Sequence, residues 1–207
     1  SMFMNDKLAL ISIIFLLFMV FLAIFGPSLI SESYTKMNLR LRNLEPFSFD
    51  HHFMYFFGAD ALGRSMIARL ILATQNTMFI AGSAVILSMT LGGVLGLISG
   101  YYGGRIGNLI MRMADIIMSF PSLLLAVIVL YMFDPGLLNL VIVLAFTRMP
   151  IYMITARAEV LEIRERLFVS AAISMGASNL RIIFKHIAPL TIPTLITIAT
   201  LDFAFVM

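Results

Sequence analysis

The sequence predicts an all-α integral membrane protein with five visible transmembrane helices, the fifth still running where the sequence stops. Three observations carry this. First, 61% of the 207 residues are hydrophobic and 12% are charged, with a mean hydropathy of +1.02. Soluble domains carry roughly 25% charged residues, and a soluble fold of this size cannot hide so much apolar side chain. Second, the apolar residues fall in long uncharged runs, close to the ~20 residues a helix needs to cross a hydrocarbon core. Third, the basic residues gather in alternate short loops. This composition excludes a disordered chain, a nucleic-acid module and an ordinary cytosolic enzyme. The net charge of +3 then reflects basic loops on one side of the membrane. There is no cysteine, so disulfides and thiolate metal sites are excluded, and without Trp the interfacial aromatics are Tyr and Phe.

Leu8–Ile30 is the first span. It is longer than the ~7–15 residue apolar core of a signal peptide, and it ends in Phe25-Gly26-Pro27, so it reads as a retained anchor. Ser1-Met2 reads as a tag remnant and carries no argument. Residues 31–76 are polar and mixed in charge through Arg69, an expected extramembrane segment. The second span is expected over Thr77–Ser99, with Ala81, Gly82, Ser83, Ala84, Gly92, Gly93 and Gly96 allowing close helix approach. Gly100-Tyr101-Tyr102-Gly103-Gly104 is an interfacial turn; it is no phosphate loop, because no Lys-Ser/Thr follows. A third span is expected from about Ile116 to Phe133, a tight turn at Asp134-Pro135-Gly136, and a fourth span from about Leu137 to Ala156. A fifth run starts near Leu190 and is still apolar at Met207, so a longer protein is expected to continue.

Arg105 and Arg112 in the second loop, and Arg157, Arg164, Arg166, Arg181 and Lys185 in the fourth, place both loops and the amino terminus in the cytoplasm. The segment from Ser31 to Arg69 then lies outside.

Arg157–Pro189 is the most informative stretch. It reads as two cytoplasmic helices joined at Gly176, which can take a left-handed cap. Glu162 and Arg166 are four apart in the favourable order, Ala177-Ser178-Asn179 offers an N-cap, and Leu180, Ile183, Phe184 and Ile187 share a face. A short helix with a small, smooth tip suits a groove on a partner protein; a solvated loop helix is the competing reading.

The run Ser170-Ala171-Ala172, then Gly176 and Ile187-Ala188-Pro189, resembles the E-A-A, three residues, G, then I-x-P motif of ABC importer permeases. Its flanks resemble the oligopeptide/dipeptide/nickel class of binding-protein-dependent permeases. So do Gly58-Ala-Asp60-Ala-Leu-Gly63-Arg64, Gly100-Tyr-Tyr-Gly-Gly104, and Met111-Arg112 with Asp115, Phe120 and Pro121. The resemblance covers roughly Gly58–Met207. The chain departs from the family pattern at Ser170, where a Glu is usual, and at Ala59, Ala61 and Ser65, which are less polar.

The resemblance implies a six-helix type I permease fold in the bacterial cytoplasmic membrane. It implies a second homologous permease, two ATP-binding cassette subunits and an extracytoplasmic substrate-binding protein as partners. Arg164, Glu165, Ser170, Ala171, Ala172 and Gly176 would form the ATPase-coupling segment, with Glu165 able to replace the missing acid. The chain itself would be no enzyme and hold no cofactor, ATP and Mg lying on the partner ATPases. Di- and oligopeptides are the expected cargo, with nickel or a metal chelate second. A secondary transporter or channel subunit is the alternative; it would often show inverted repeats or broken midplane helices, and none is evident.

Arg148 and Asp202 are ionisable groups inside expected spans, where charge is costly and faces a bundle interior or a water-filled cavity. Arg148 lies nine residues before Arg157 and Asp202 thirteen after Pro189, roughly 13 and 20 Å along antiparallel helices, so their depths are comparable. Three readings stay open: the two pair with each other, they line the translocation path and meet a charged substrate, or Arg148 snorkels to water while Asp202 sits at a distorted helix end. Asp115 and Arg112 are expected to form a local ion pair. The adjacent His51 and His52 do not converge on one helix face, so no metal site is assigned, and His186 reads as a solvated cytoplasmic histidine.

Overall fold

The computed structural model describes residues 7–30, 32–48, 50–132 and 136–207, apart from the side chains of Ser33 and Leu123. Among these residues there is no strand, only one antiparallel bridge between Ala59 and Ser65. The helices are α1 (Lys7–Phe25), α2 (Met66–Tyr102), α3 (Gly104–Met118), α4 (Ser122–Met132), α5 (Leu137–Ile163), α6 (Leu167–Ser174) and α7 (Asn179–Val206). The segments Lys7–Leu29, Met66–Tyr102, Leu137–Ile163 and Asn179–Val206 are each long and apolar enough to cross a membrane. The chain divides into two compact units, Ser1–Phe79 and Ile80–Met207.

In the first unit α1 buries little beyond Ala23, as an apolar helix facing lipid should. Pro27 follows in a short 3₁₀ turn, Gly26–Leu29. Gly26 packs so closely that a methyl there would stand 2.3 Å from Ile71 Cγ2. The polar segment is folded around Asp60. Its Oδ1 accepts N–H bonds from Leu62 and Arg64, both 2.9 Å, while Oδ2 receives Arg64 Nε at 2.8 Å and Arg69 Nη1 at 2.9 Å. Those bonds, led by the Arg64 backbone N–H, hold the Asp60 carboxyl at about 2. Gly63 sits at φ +74, and a methyl there would meet the Asn38 carbonyl oxygen at 1.8 Å. Gly58-Ala-Asp-Ala-Leu-Gly-Arg64 is thus a built turn: two left-handed glycines, one acid closing the loop, one arginine answering it. Burial pushes the Tyr55 phenol up.

In the second unit α5 is the central helix. Its buried residues include Val141, Ala145, Met149, Tyr152, Met153, Ala156 and Val160, spread around much of its circumference. The closest approach is to α2. A methyl on Gly92 would lie 2.5 Å from the Met149 carbonyl oxygen, one on Gly96 2.5 Å from that of Met153, and one on Gly100 2.6 Å from Val160 Cβ. Gly92, Gly96 and Gly100 are four apart, so they form one groove on α2 into which the α5 backbone settles. Without side chains to interpose, dispersion contacts run backbone to backbone.

The elements differ from the expectations in four places. The expected turn over Gly100–Gly104 is confined to the positive-φ pair Gly103 and Gly104, since α2 runs on to Tyr102. The second span begins at Met66, eleven residues early, because Arg69 is neutralised by Asp60 and no longer interrupts the helix. The third is not one helix over Ile116–Phe133: α3 ends at Met118, and Pro121 opens a new start at Ser122. The Asp134-Pro135 part of the expected turn, and Phe133, lie outside the described residues. The fourth and fifth spans run on into the loop: α5 reaches Ile163 and α7 begins at Asn179. The loop therefore contains one short free-standing helix, α6, and the two expected loop helices are otherwise extensions of spans.

Candidate functional site

The loop between α5 and α7 is ordered by a cap at each corner. Arg166 starts α6 in extended conformation, and its guanidinium returns to Glu162 Oε1 at 2.7 Å. At the far end Gly176 takes φ +80. Its N–H donates to the Ile173 carbonyl at 2.9 Å, and the Ala177 N–H donates to that of Ala172 at 3.1 Å. This 5→2 and 6→1 pair is the Schellman motif, which requires the left-handed glycine. Ser178 occupies the N-cap of α7 but makes no side-chain capping bond.

Val169 and Ala172, three apart, turn inward from α6 onto Leu97, Val160, Ile163, Ile182, Ile183 and Ile187. Burying Val169 contributes roughly 1.5–3 kcal/mol to holding α6 in place. The opposite face is open: Ser170, Ala171 and Gly176 are exposed, and Leu167 and Met175 project with 88% and 81% of their surfaces free. Of the residues expected to contact an ATPase, Ala172 is therefore inside, where its small size lets α6 lie against the core.

Arg164 and Glu165 share a bond, Nε to Oε1 at 3.1 Å, while Arg164 Nη1 donates to the Gly100 carbonyl at 3.2 Å. Arg164 thus ties the loop to the end of α2, and Glu165 is exposed. The Tyr101 hydroxyl bonds Asn179 Oδ1 at 3.0 Å, tying the same end of α2 to the start of α7.

At the start of α7 the backbone leaves α-geometry. Asn179–Arg181 forms one α turn, Ile182–Ile187 is π-helical, and α-geometry resumes at Ala188. The wider winding buries Ile182, Ile183 and Ile187 and leaves Leu180 and Phe184 exposed. The expected face of Leu180, Ile183, Phe184 and Ile187 is corrected accordingly; it assumed a 3.6-residue repeat, and π winding breaks that repeat.

Deeper in the bundle, Arg148 Nε and Asp202 Oδ1 stand 3.5 Å apart. The other carboxylate oxygen, Oδ2, accepts a bond from the buried Tyr152 hydroxyl at 3.1 Å. Asp202 is 5% exposed, and the Arg148 guanidinium lies 4.1 Å over the Phe205 ring. The structure thus brings the two intramembrane charges together and leaves Asp202 doubly held.

Sequence reasoning missed Tyr152 and Arg157. Arg157 Nη1 donates to Ser99 Oγ at 2.9 Å and to the Gly107 carbonyl at 2.8 Å, joining α5 to both sides of the Gly103–Gly104 turn. It had counted only as a loop charge. The available signal was its place four residues before Leu161 within an unbroken helical pattern. The expected Arg112–Asp115 pair is not formed among the described residues; the base precedes the acid, the weaker helix order. His52 Nδ1 accepts the Met54 N–H at 3.3 Å, so that histidine caps a turn.

Comparison with known proteins decides the family. The family described as "binding-protein-dependent transport system inner membrane component" matches residues 92–207, more than half the chain and all of α3 to α7. The chain belongs to this family. A second family, "N-terminal TM domain of oligopeptide transport permease C", matches residues 1–46 and covers α1. The likeness thus extends beyond the Gly58–Met207 stretch legible from motifs.

Among similar permeases, the dipeptide transport system permease protein DppC of Alkalihalophilus pseudofirmus is 37% identical over 199 residues, 96% of this chain and 64% of its own length. The oligopeptide transport system permease protein OppC of Bacillus subtilis is 32% identical over 199 residues, with the same two coverages. The nickel transport system permease protein NikC of Escherichia coli is 35% identical over 153 residues, 74% of this chain and 55% of its own. The chain spans less than two-thirds of the length of each of these relatives. This permease is an all-α membrane protein of the inner-membrane component family.

Proposed function

We propose that this permease is the membrane-spanning subunit of an ATP-driven, binding-protein-dependent importer of di- and oligopeptides. The observation that carries the reading is α6. It is a short helix with a smooth Ser170-Ala171 surface, anchored from behind by Val169 and Ala172 and clamped at Gly176. Such a helix transmits a push because its inner face cannot slide without unpacking the core.

In this reading α6 sits in a groove on an ATP-binding cassette subunit, with Arg164, Glu165, Ser170, Ala171 and Gly176 at the contact. A second homologous permease completes the pathway, two ATPases hydrolyse ATP with Mg, and a substrate-binding protein delivers cargo to the outer face. The permease forms no covalent bond. It holds two bundle states that ATP and the loaded binding protein bias differently. The amino terminus lies in the cytoplasm and residues 31–76 outside, following the basic loops. Peptide cargo is supported by the names of the relatives aligned over 96% of the chain, and nickel is second because the nickel relative aligns over 74%.

The experiment is purification of the full-length protein from native membrane in mild detergent, with the co-purifying subunits identified and ATPase and peptide uptake measured after reconstitution. Recovery of a second permease and nucleotide-binding subunits is expected. A chain that purifies alone without ATPase activity refutes the reading. Gly176→Glu then tests the coupling role: the complex should retain ATPase activity and lose uptake. Gly176→Asn, which tolerates the left-handed backbone, separates loss of the cap from loss of the smooth surface.

A further inference from the structure

The intramembrane arginine is only partly used by the carboxylate beside it. Arg148 meets Asp202 through Nε at 3.5 Å, and among the described residues it has no other ion pair or hydrogen bond. Asp202 has a second partner in Tyr152 and is 4% exposed at its side chain, whereas Arg148 remains 26% exposed. The arginine therefore has donors to spare, and the aspartate is held in place without it.

The same arginine also borders a cavity. Arg148 shares a space of about 250 Å³ with Met118, Thr147, Ile151, Ile154 and Thr155. A neighbouring space of about 270 Å³ also borders Met118 and Thr147 and extends along the α3–α4 break. Arg148 is the twelfth residue of the 27-residue α5, close to its middle. A guanidinium at that depth does not face hydrocarbon; the cavity wall it occupies meets water, protein or a polar ligand. The two threonines are also biased. Thr147 Oγ1 donates to the Leu144 carbonyl at 3.0 Å and Thr155 Oγ1 to that of Ile151 at 2.8 Å. With their protons committed, both hydroxyls have lone pairs left to accept N–H bonds.

We propose that this groove is a subsite for a short peptide, with Arg148 binding the terminal carboxylate and the Thr155 hydroxyl facing peptide N–H groups. A carboxylate is the ligand that planar, forked guanidinium donors match bidentately. Arg148 and Thr155 lie seven residues apart on one helix, or about 10 Å, the length of roughly three extended residues. Apolar side chains between them suit varied cargo, since they impose no hydrogen-bond pattern. Asp202 keeps its Tyr152 hydrogen bond when Arg148 turns to the ligand, and with Nε rather than the Nη fork facing Asp202, Arg148 can hold both carboxylates at once. The assignment rests on the peptide-import reading and adds the residue that holds the cargo.

The test is uptake of a labelled dipeptide into phospholipid vesicles by the whole reconstituted transporter. Three forms are compared: wild type, Arg148→Lys, and the charge exchange Arg148→Asp with Asp202→Arg. The exchange keeps opposite charges on the two helices and removes the cation from the cavity wall. It should assemble and lose uptake at least tenfold, while Arg148→Lys should raise the KM for peptide severalfold with kcat less affected. Wild-type uptake by the exchange variant overturns the assignment and reduces the pair to a helix tie. If the exchange variant does not assemble, the lysine variant decides: an unchanged KM overturns the proposal. A lysine defect that disappears in vesicles of phosphatidylcholine alone, which carry no net negative headgroup, identifies an anionic lipid as the ligand of Arg148, and also overturns it. Absence of peptide uptake in the assembled wild type is a separate result; it refutes peptide import itself, and this subsite with it.

Discussion

Gly82 and Gly96 lie on the same helix, and the same substitution should move stability in opposite directions at the two. At Gly96 a methyl group would stand 2.5 Å from the Met153 carbonyl oxygen, 2.6 Å from Ala156 Cβ and 3.1 Å from Met153 Cα. Two of these neighbours are backbone atoms of α5, which no rotamer change can move. Relief to an ordinary contact separates the helices by about 0.9 Å, and a gap of ~0.5–1 Å forfeits a quarter to a half of each affected dispersion well. Gly92 and Gly100 share the groove, so their contacts loosen with it. Overpacking of this kind costs about 1–3 kcal/mol, against a helix-propensity gain of at most ~1 kcal/mol. At Gly82 the nearest atom to the added methyl is Phe203 Cε2 at 3.9 Å, an ordinary contact, so only the gain remains. With about 2–4 °C per kcal/mol for a chain of this size, Gly96→Ala should lower the detergent-phase Tm by a few degrees and Gly82→Ala should raise it slightly. Thermal-shift measurement with size-exclusion readout on the purified protein distinguishes them. Equal shifts, or a stabilised Gly96→Ala, would refute the claim that α5 is seated backbone-first in the Gly92–Gly96–Gly100 groove.

Three further outcomes follow from the polar ties. Arg157→Ala removes the donor shared by Ser99 and Gly107 and should destabilise the bundle by roughly 1–3 kcal/mol, read as a lower Tm; Arg157→Lys, lacking the fork, should recover only part. The Asp60 carboxyl is lowered from 3.8 to about 2. Its contribution is complete above the unfolded value and is lost as pH falls through the folded one. Proteolytic resistance of residues 32–66 should accordingly be flat from pH 7 to 4 and fall between about 4 and 2, whereas Asp60→Asn should weaken it above pH 4 and remove the acid-limb fall. Removing one residue from Ile182–Ile187 should let that stretch relax to α-winding and rotate Asn179–Arg181 relative to Ala188. On the coupling reading, the assembled transporter should then hydrolyse ATP without taking up peptide, and unchanged uptake would show that the π turn is mechanically silent.

The spans were legible because lipid imposes one simple demand, an uninterrupted apolar length, and composition reports it directly. Their ends were not. Arg69 looked like a boundary because sequence cannot show that Asp60, nine residues earlier, folds back onto it. Arg157 looked like a loop charge for the same reason, its partners lying far back in the sequence on the two sides of a glycine turn. The Gly176 cap was readable, since a Schellman corner depends on a single residue type and local spacing. The inward face of α7 was not, because the π winding at Ile182–Ile187 is set by packing against Val160, Ile163 and Val169, which no periodicity in that stretch records.

The distribution of these ties bears on what can move. Arg157, Arg164 and Tyr101 fasten the ends of α2, α3, α5 and α7 together near the loop, each through groups on different helices. The glycine groove locks α2 to α5 along about the next two turns. Beyond it, α5 and α7 are joined by the Tyr152–Asp202–Arg148 cluster, whose Arg148 contact is the longest of the ion pairs among the described residues. On the proposed coupling reading, a push delivered at α6 would meet a stiff assembly first and reach its weakest polar joint at this cluster. In a transporter that is where a ligand can compete for a contact, because exchanging one charged partner for another costs far less than parting two helices whose backbones touch.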